Sequence, residues 1–411
     1  YILKVKQSFP DTPGQTGKRP FHIPLAIGLL DNEGSDLLAG DTNNVLHLTE
    51  QTQQFVFTGI SKKPTLSFLR DFSAPVRVAS FQSNEELAHL ARFDSNLYNR
   101  WDAASRLSQE VILEVVAMIN KGQKPEVNTL YLTSINSRLN ADIEDPAHFA
   151  LALQLPPEST LAQEMDVVQP EALHRAREFV KQSIAQKNID ILLKLYHEMG
   201  GESEYSIRPE SMARRSLKNC LLSFLMTLQP LPGQILELCR TQYFDATNMT
   251  DAVGALSTLV HVDNPVRDAI LEHYYNKWSG DPLVLDKWFF MQASSSDAGT
   301  LERVKSLMEH PAFSMTNPNK VRALIGGFAG ANHYRFHEAD GSGYRFLADR
   351  ILQLDPLNPQ VAARMVSPFT SWRRYEKGRQ ELMKQELERI QRAKDLSRDV
   401  AEIVSKCLVV H

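Results

Sequence analysis

The hydrophobic period of this chain changes near residue 83, and this change constrains the fold more than any other feature of the sequence. Before it, short β-branched or aromatic runs alternate with polar residues and are separated by turn residues. After it, apolar residues recur at spacings of three and four, which is the period of an amphipathic helix. The 411 residues therefore predict a strand-built domain over residues 1–82 and a helix-built domain over residues 83–411.

The first region predicts a small antiparallel β-sandwich of the immunoglobulin-like kind. Its candidate strands are separated by polar turns and cover residues 1–6, 21–30, 45–49, 54–58, 65–70 and 76–79. Pro24 lies within the second of these runs. Because proline cannot donate to a strand ladder, we expect this strand to lie at an edge or to carry a bulge.

A capping box opens the second region, since Ser83 is followed by Glu86 three residues later. The helix after it is predicted to run to about Asn120, with one apolar stripe made of Leu97, Trp101, Ala104, Leu107 and Val111. Further amphipathic segments are predicted near residues 147–155, 170–186, 188–199, 209–227, 232–240, 248–260, 264–277, 283–293, 299–309, 318–330, 343–353, 358–370 and 376–392. So many short helices cannot surround one core, whereas stacked helical pairs bury their faces against neighbouring pairs. The pattern therefore predicts an α-solenoid of the armadillo or HEAT kind.

Composition excludes several classes of protein. The formal net charge is −4, which gives no general attraction to nucleic acid or to an anionic membrane surface. Apolar runs such as Val111–Leu113 are soon interrupted, so we expect no membrane-spanning helix. The 3 cysteines are too scattered for a disulfide framework or a CxxC metal site, which favours a reducing compartment such as the cytoplasm. Because the chain begins at Tyr1 within a strand-like run, we interpret it as part of a longer protein.

Two histidine patterns in the sequence resemble parts of metal-binding motifs. His197 and Glu198 begin a His-Glu-x-x-His motif, but Gly201 stands where the second histidine is needed. His333 and His337 are four residues apart, yet the glycines that follow suggest a loop, in which this spacing guarantees no common face. A solvated or hydrogen-bonded histidine pair is therefore expected here, and neither a metal site nor a catalytic residue is predicted.

Three other features have structural interpretations. The glycines of residues 326–330 match no phosphate-binding loop and indicate close helix packing. The basic residues of 373–384 are interleaved with glutamates and predict a solvated helix face with internal ion pairs, in preference to a nucleic-acid patch. The aromatic residues between 274 and 290 predict core packing in preference to a binding pocket.

Specific strings, taken in order, resemble the C-terminal half of the bacterial aminopeptidase N family of zinc metallopeptidases. They are Thr12–Gln15, Ile23–Ile27, Asp31–Gly34, Phe72–Pro75, Arg100–Ala104, Asn248–Ala252, Leu285–Phe289, Asn317–Arg322, Phe336–Tyr344 and Asn358–Arg364. The resemblance covers essentially the whole chain. It implies a small β-sandwich and a large C-terminal helical domain, which in the family follow an N-terminal β domain and a thermolysin-like catalytic domain.

The resemblance also implies which functions belong to the catalytic domain and which to this chain. In the family, zinc and the substrate's free amine are held by His-Glu-x-x-His and Gly-Ala-Met-Glu-Asn motifs of the catalytic domain, and neither motif occurs here. This chain would then hold no cofactor, would lack catalysis alone, and would partner its own N-terminal catalytic domain and peptide substrates. Its helical domain would enclose a chamber that favours short or unfolded peptides.

Three residues match family positions that line that chamber: Arg322, Gln360 and Arg364. A cationic group there could attract the carbonyls or the C-terminal carboxylate of a peptide. The alternative interpretation is that both arginines bind helix C-termini or acidic neighbours within the solenoid. At the level of the whole chain, a stand-alone solenoid scaffold that binds a protein partner also stays open.

Overall fold

The N-terminal region is built from two small antiparallel sheets. The computed structural model describes residues 1–38, 44–79, 82–200 and 204–409. Within these residues the strands are β1 Ile2–Lys6, β2 Ile23–Leu30, β3 Val45–Leu48, β4 Thr52–Val56 and β5 Thr65–Phe68. One sheet pairs β1 with β4, and the other has the order β3-β2-β5. This confirms the small antiparallel β structure that the alternating pattern predicts.

The strand predicted at residues 76–79 is absent, which corrects the sequence interpretation. The Val76 amide donates to the Ala74 carbonyl at 2.9 Å, so this donor is used in a local turn. Pro75 has no amide hydrogen to contribute to a ladder. A β-branched pattern alone does not reveal that the backbone donors of this segment are already used or missing.

Pro24 lies at an unpaired edge, as predicted, although β2 is the central strand of its sheet. Residues Ile23–Ala26 pair with β3, whereas Ile27–Leu30 pair with β5. On the side away from β3, the Ser73 hydroxyl accepts from the Ala26 amide at 3.0 Å and donates to the Pro24 carbonyl at 3.2 Å. The Pro24 nitrogen, which carries no hydrogen, therefore lies on the side of β2 that contacts the Ser73 side chain and not a neighbouring strand.

The rest of the described chain is helical. Its α-helices are α1 Asn84–Phe93, α2 Leu97–Asn120, α3 Thr129–Leu139, α4 Pro146–Leu153, α5 Glu158–Leu161, α6 Pro170–Lys187, α7 Ile189–Glu198, α8 Pro209–Leu225, α9 Gly233–Asp245, α10 Met249–Leu259, α11 Pro265–Trp278, α12 Pro282–Ala293, α13 Thr300–Met308, α14 Pro318–Val321, α15 His333–Phe336, α16 Ser342–Leu354, α17 Pro359–Met365, α18 Lys377–Gln391 and α19 Arg398–Leu408. A π-helix, Arg322–Ala331, follows α14 directly. The stacked-helix architecture predicted from sequence is confirmed.

Many of these helices begin in the same way, with an Asn or Asp cap followed by proline. At Asp281, for example, the carboxylate accepts from the amides of Leu283 and Val284 at 3.0 and 3.2 Å. Proline fits the next position because the first helical residues have no amide partner within the helix. The same arrangement starts α4, α11, α14 and α17.

The first predicted helix is in fact two helices. The capping box forms as expected, with the Glu86 amide donating to Ser83 Oγ at 3.3 Å. However, α1 ends at Phe93 and Asn96 caps a separate α2, where Leu97 and Trp101 are 48% and 37% exposed. The buried stripe of α2 therefore excludes these two residues. Helices α3 and α19 were not predicted.

A buried arginine joins the strands to the helices. Arg70 donates to Ser67 Oγ at 2.9 Å and forms ion pairs with Asp36 at 2.5 Å and Asp94 at 3.0 Å. A Cβ on Gly28 would lie 2.0 Å from the Arg70 guanidinium carbon, so any larger residue would displace the guanidinium from this position. The end of β2 also belongs to the helical core, because Leu30 packs within it. The division into domains at residue 82 stays a prediction.

The helical stack returns on itself, which a neighbour-to-neighbour solenoid does not require. The Val168 amide donates to the Arg374 carbonyl at 2.7 Å, and α15 packs on α6. Segment 158–174 therefore contacts residues 333–379. Among the described residues, no helix combines the length and apolarity that a bilayer crossing needs.

Candidate functional site

The three residues predicted to line a chamber are all exposed in this structure. Arg322 begins the π-helix and donates to Asn319 Oδ1 at 2.5 Å. Gln360 and Arg364 lie one turn apart on α17, and neither side chain hydrogen-bonds to a described residue. Within the described part of the chain, neither arginine binds a helix C-terminus or a carboxylate. A role in lining a chamber stays a prediction.

A glycine brings the two helices that carry these residues together. A Cβ on Gly326 would lie 3.5 Å from the methyl group of Met365, so the π-helix and α17 meet there. Gly327 faces Phe290 in the same way, at 3.0 Å. The predicted role in close helix packing fits Gly327, whereas a Cβ on Gly326 would make an ordinary contact and nothing lies within 4 Å of the Cβ position of Gly330.

A cavity of about 300 Å³ lies further along the same two segments. The π-helix supplies Ala329 and Gly330, and the chain after α17 supplies Ser367, Pro368 and Ser371. The opposite wall comes from residues 159–168, and the inner wall comes from His333, His337, Arg374 and Tyr375. The π-helix carries exposed Arg322, and α17 carries exposed Arg364. The π-helix and the chain after α17 also line this cavity.

The two histidines of this cavity share one tyrosine hydroxyl. His333 Nε2 lies 3.1 Å and His337 Nε2 lies 2.9 Å from the oxygen of Tyr375. His337 Nδ1 lies 2.8 Å from the Tyr344 hydroxyl. The expectation of a hydrogen-bonded pair is confirmed, but the expected loop is wrong. Residues His333–Phe336 form one helical turn, so the two imidazoles share a face with ring centroids 4.8 Å apart.

Burial fixes the protonation of the inner part of this network. It lowers the pKa of His337 well below the ordinary value, with His333 and Arg379 adding to the effect, and the imidazole is neutral near pH 7. Burial also raises the pKa of Tyr375 to about 12 and raises that of Tyr344. Neutral His337 therefore accepts from one tyrosine and donates to the other.

A buried carboxylate stands at the outer end of the network. Glu158 Oε1 lies 2.7 Å from His174 Nδ1, and Glu158 Oε2 lies 3.6 Å from His333 Nδ1. Although burial by itself raises the pKa of Glu158, the His174 hydrogen bond and the nearby His333 lower it to about 2. The ring of His174 stacks on Tyr334 with centroids 4.0 Å apart. The ionised carboxylate therefore orients His174 through a hydrogen bond, whereas its 3.6 Å separation from His333 Nδ1 is too long for one.

Of the basic segment, Arg374 lines the cavity and Arg379 contacts the backbone of His337, and Arg379 corrects the sequence interpretation. Arg374 donates to the carbonyls of Gln163 and Met165 at 2.9 and 2.7 Å. Arg379 is buried, not solvated: it donates to the His337 carbonyl at 2.6 Å and pairs with Glu171 and Glu376. The predicted ion pairs with glutamate exist, but at Arg379 they lie inside the fold.

The other sequence candidates are placed as follows. Helix α7 ends at Glu198, just before Gly200, whereas Gly201 lies outside the described residues. Tyr274, Trp288 and Phe289 are buried as predicted, although Phe290 is 44% exposed. The described residues contain no group of three or more His, Cys, Asp or Glu placed to hold a metal ion.

Sequence reasoning found the histidine pair and missed its partners. Glu158, His174, Tyr375 and Arg379 lie far from the pair in sequence, and no local pattern connects them to it. The arrangement can hold a neutral imidazole, hydroxyls and an ordered carboxylate around a small cavity. The cysteines Cys220, Cys239 and Cys407 lie outside this cavity and are buried, and burial raises the pKa of each thiol.

A β structure followed by a curled stack of helices defines the class of protein. The sequence-family model described as "Domain of unknown function (DUF3458_C) ARM repeats" matches residues 84–409, and "Domain of unknown function (DUF3458) Ig-like fold" matches residues 1–80. The chain belongs to this DUF3458 family.

Named relatives sharpen the assignment. The chain is 39% identical over 412 residues to Aminopeptidase N of Escherichia coli, covering 99% of this chain and 47% of that protein. It is 40% identical over 385 residues to Aminopeptidase N of Caulobacter vibrioides, covering 93% of this chain and 44% of that protein. A solved structure, Legionella pneumophila aminopeptidase A in complex with aspartic acid, matches with a TM-score of 0.84 and 31% identity. That match covers 99% of this chain and 47% of the other. The chain thus spans about half the length of its relatives and corresponds to their C-terminal half.

Proposed function

We propose that this chain is the non-catalytic C-terminal portion of a zinc-dependent aminopeptidase N that removes N-terminal amino acids from peptides. Its helical domain, residues 83–411, caps the catalytic domain and encloses the substrate chamber, which limits access to peptides. The β-sandwich, residues 1–82, connects the two. Zinc belongs to the catalytic half, and the protein works in the cytoplasm.

The observation that carries this proposal is the coverage of the relatives. Nearly the whole chain matches proteins named Aminopeptidase N, yet it accounts for about half of each. The sequence contains neither His-Glu-x-x-His nor Gly-Ala-Met-Glu-Asn. A chain that aligns so fully but lacks both motifs is best explained as the part of the enzyme that shapes access.

The chamber role of Arg322, Gln360 and Arg364 is supported by their exposure. An arginine without a carboxylate partner keeps its full capacity to bind a peptide carboxylate or carbonyl. Met365 of α17 approaches Gly326 of the π-helix, so the two elements that carry the arginines come close to each other at this point.

Reconstitution from two polypeptides tests this function. The upstream half of E. coli aminopeptidase N and this chain are produced separately and mixed, with the two E. coli halves as the positive control. We expect a 1:1 complex by size-exclusion chromatography with light scattering. If the two E. coli halves associate with each other but this chain does not bind the upstream E. coli half, the stand-alone scaffold becomes the better explanation.

A further inference from the structure

A second and larger cavity, of about 690 Å³, lies further along α6, one to two turns beyond His174 of the histidine network. Helices α6 and α8 form its two walls, and the chain after α4 and the first turn of α10 close its ends. Its volume lies within the range of small-molecule sites. Its lining residues take no part in the network of Glu158, His333 and Tyr375.

Cations line the inside of this cavity. Arg177 and Lys181 lie one turn apart on α6, and Arg215 faces them from α8. Arg177 donates to the carbonyl of Pro156 at 2.9 Å, and Arg215 donates to that of Ser206 at 2.7 Å. No aspartate or glutamate is among the described residues that line the cavity. Arg177 is paired with its neighbour Glu178 at 3.2 Å, whereas Lys181 forms no ion pair with a described residue. Two cations at this helical spacing repel each other, and an anion beside Lys181 relieves the part of that repulsion that Glu178 leaves.

Of these three cations, Lys181 has the fewest hydrogen-bond partners. Its ammonium is half-buried and lies 5.6 Å from the ring centroid of Phe224. It donates no hydrogen bond to any described residue. Burial lowers the pKa of Lys181, and nearby Arg177 adds to this, while Glu178 and Cys220 oppose it. A bound anion would restore a partner to this amine.

Part of the wall and most of the rim of the cavity are apolar. Phe224 and Leu155 are buried in its wall. At the rim, Tyr205, Ile207 and Met212 are 57%, 74% and 56% exposed. Large apolar side chains grouped at the mouth of a cavity mark a binding site more strongly than isolated exposed ones do.

We propose that this cavity binds a small carboxylate with an apolar body, with the carboxylate between Lys181 and Arg177 and the apolar part against Phe224 and Met212. The charge pattern selects an anion, and the apolar rim selects against inorganic anions. The proposal does not depend on the aminopeptidase assignment, because it uses only residues of this chain.

Methionine methyl NMR reports on this site directly. The chain is labelled at its methionine methyl groups, and Met212 is assigned from the spectrum of Met212→Leu. N-acetyl-L-leucine is titrated as the probe, with N-acetyl-L-leucinamide as its neutral match and N-acetylglycine as the probe without an apolar body. We expect saturable shifts of Met212 with N-acetyl-L-leucine and at least tenfold weaker binding of the other two.

Two lysine variants separate a specific site from general attraction. Lys181→Met keeps the length of the side chain and removes its charge, and we expect it to weaken N-acetyl-L-leucine binding at least tenfold. Lys187→Met removes the same charge from an exposed position on the same helix and should bind like the parent. Circular dichroism and thermal unfolding confirm that both variants fold.

Several results would overturn the proposal. They are the absence of any saturable Met212 shift, equal shifts with the acid and its amide, and unchanged binding by a folded Lys181→Met. If Lys181→Met does not fold, Arg177→Gln is used in its place and is held to the same tenfold criterion.

Discussion

At the scale of single residues, one hydroxyl does most to organise the candidate site. Tyr375 bridges His333 and His337, and its ring also stacks on His337 with centroids 4.2 Å apart. Sequence could predict that the two histidines are hydrogen-bonded. It could not supply Tyr375 as the partner, because that contact depends on how α15 and the chain before α18 pack.

Tyr375→Phe should destabilise the protein by about 1–3 kcal/mol. The ring stacking is kept, but His337 Nε2 is left buried without a partner, which costs the desolvation of that nitrogen. Tyr334→Phe is the matched control, because the Tyr334 hydroxyl hydrogen-bonds to no described residue. Urea denaturation at pH 7 measures both variants, and equal midpoints for the two would contradict the bridging role.

Glu158→Gln should cost roughly 1–3 kcal/mol at pH 7, and the cost should shrink in acid. The pKa of Glu158 is lowered to about 2 in the folded state. A depressed carboxyl pKa stabilises the fold fully above the unfolded pKa and loses that contribution as the pH falls through the folded value. The difference between parent and variant should therefore decrease between about pH 4.5 and pH 2.

The control for this prediction is Glu164→Gln, which changes an exposed carboxylate a short distance further along the chain from Glu158. Urea midpoints measured across the pH range should show no pH-dependent difference for it. A Glu158→Gln difference that stays constant with pH would show that the carboxylate is not the ionised partner of His174.

At the scale of elements, sequence predicted most helices because their starts carry a physical signal. An Asn or Asp followed by proline provides a side-chain acceptor and a residue that needs no partner for its missing amide. Helix α3 has an Asn128 cap but no proline after it, and the stretch Thr129–Leu139 is rich in Thr, Ser and Asn with a weak apolar period. The π-helix was expected only as an ordinary helix, because the apolar pattern was matched to a period of 3.6 residues.

Gly343→Ala, a change in the first turn of α16, should destabilise the protein by about 3 kcal/mol or more. A Cβ there would lie 2.2 Å from the Phe336 carbonyl oxygen, and backbone cannot move aside as a flexible side chain can. Gly330→Ala is the control, since nothing lies within 4 Å of its Cβ position. Its stability should be unchanged or raised by up to about 1 kcal/mol. Thermal and urea unfolding that show similar losses in both variants would contradict this packing.

At the scale of the whole molecule, the order of the two regions could be predicted from sequence. The way in which the helical stack folds back on itself could not. The change of period near residue 83 is local information. The contact of segment 158–174 with residues 333–379 joins positions about two hundred residues apart, as in the Arg379–Glu171 ion pair. Repeats that contact only their neighbours do not predict such a contact.

Arg364→Ala should separate long substrates from short ones in a chimera in which this chain replaces the matching half of E. coli aminopeptidase N. The proposed chamber role predicts a KM for tripeptides raised about three- to tenfold, with a smaller change for a single-residue anilide. Arg240→Ala, which removes an exposed arginine of α9, should change neither. Equal effects of Arg364→Ala on both substrates would indicate a purely structural arginine.

The central claim is that this chain shapes access to a zinc peptidase and performs no catalysis itself. The most direct measurement compares hydrolysis of alanine p-nitroanilide, with added zinc, by this chain alone and by the same chimera. The account predicts no zinc-dependent hydrolysis by the chain alone and clear hydrolysis by the chimera. Zinc-dependent hydrolysis by the purified chain alone, or a folded, zinc-loaded chimera without activity, would contradict it.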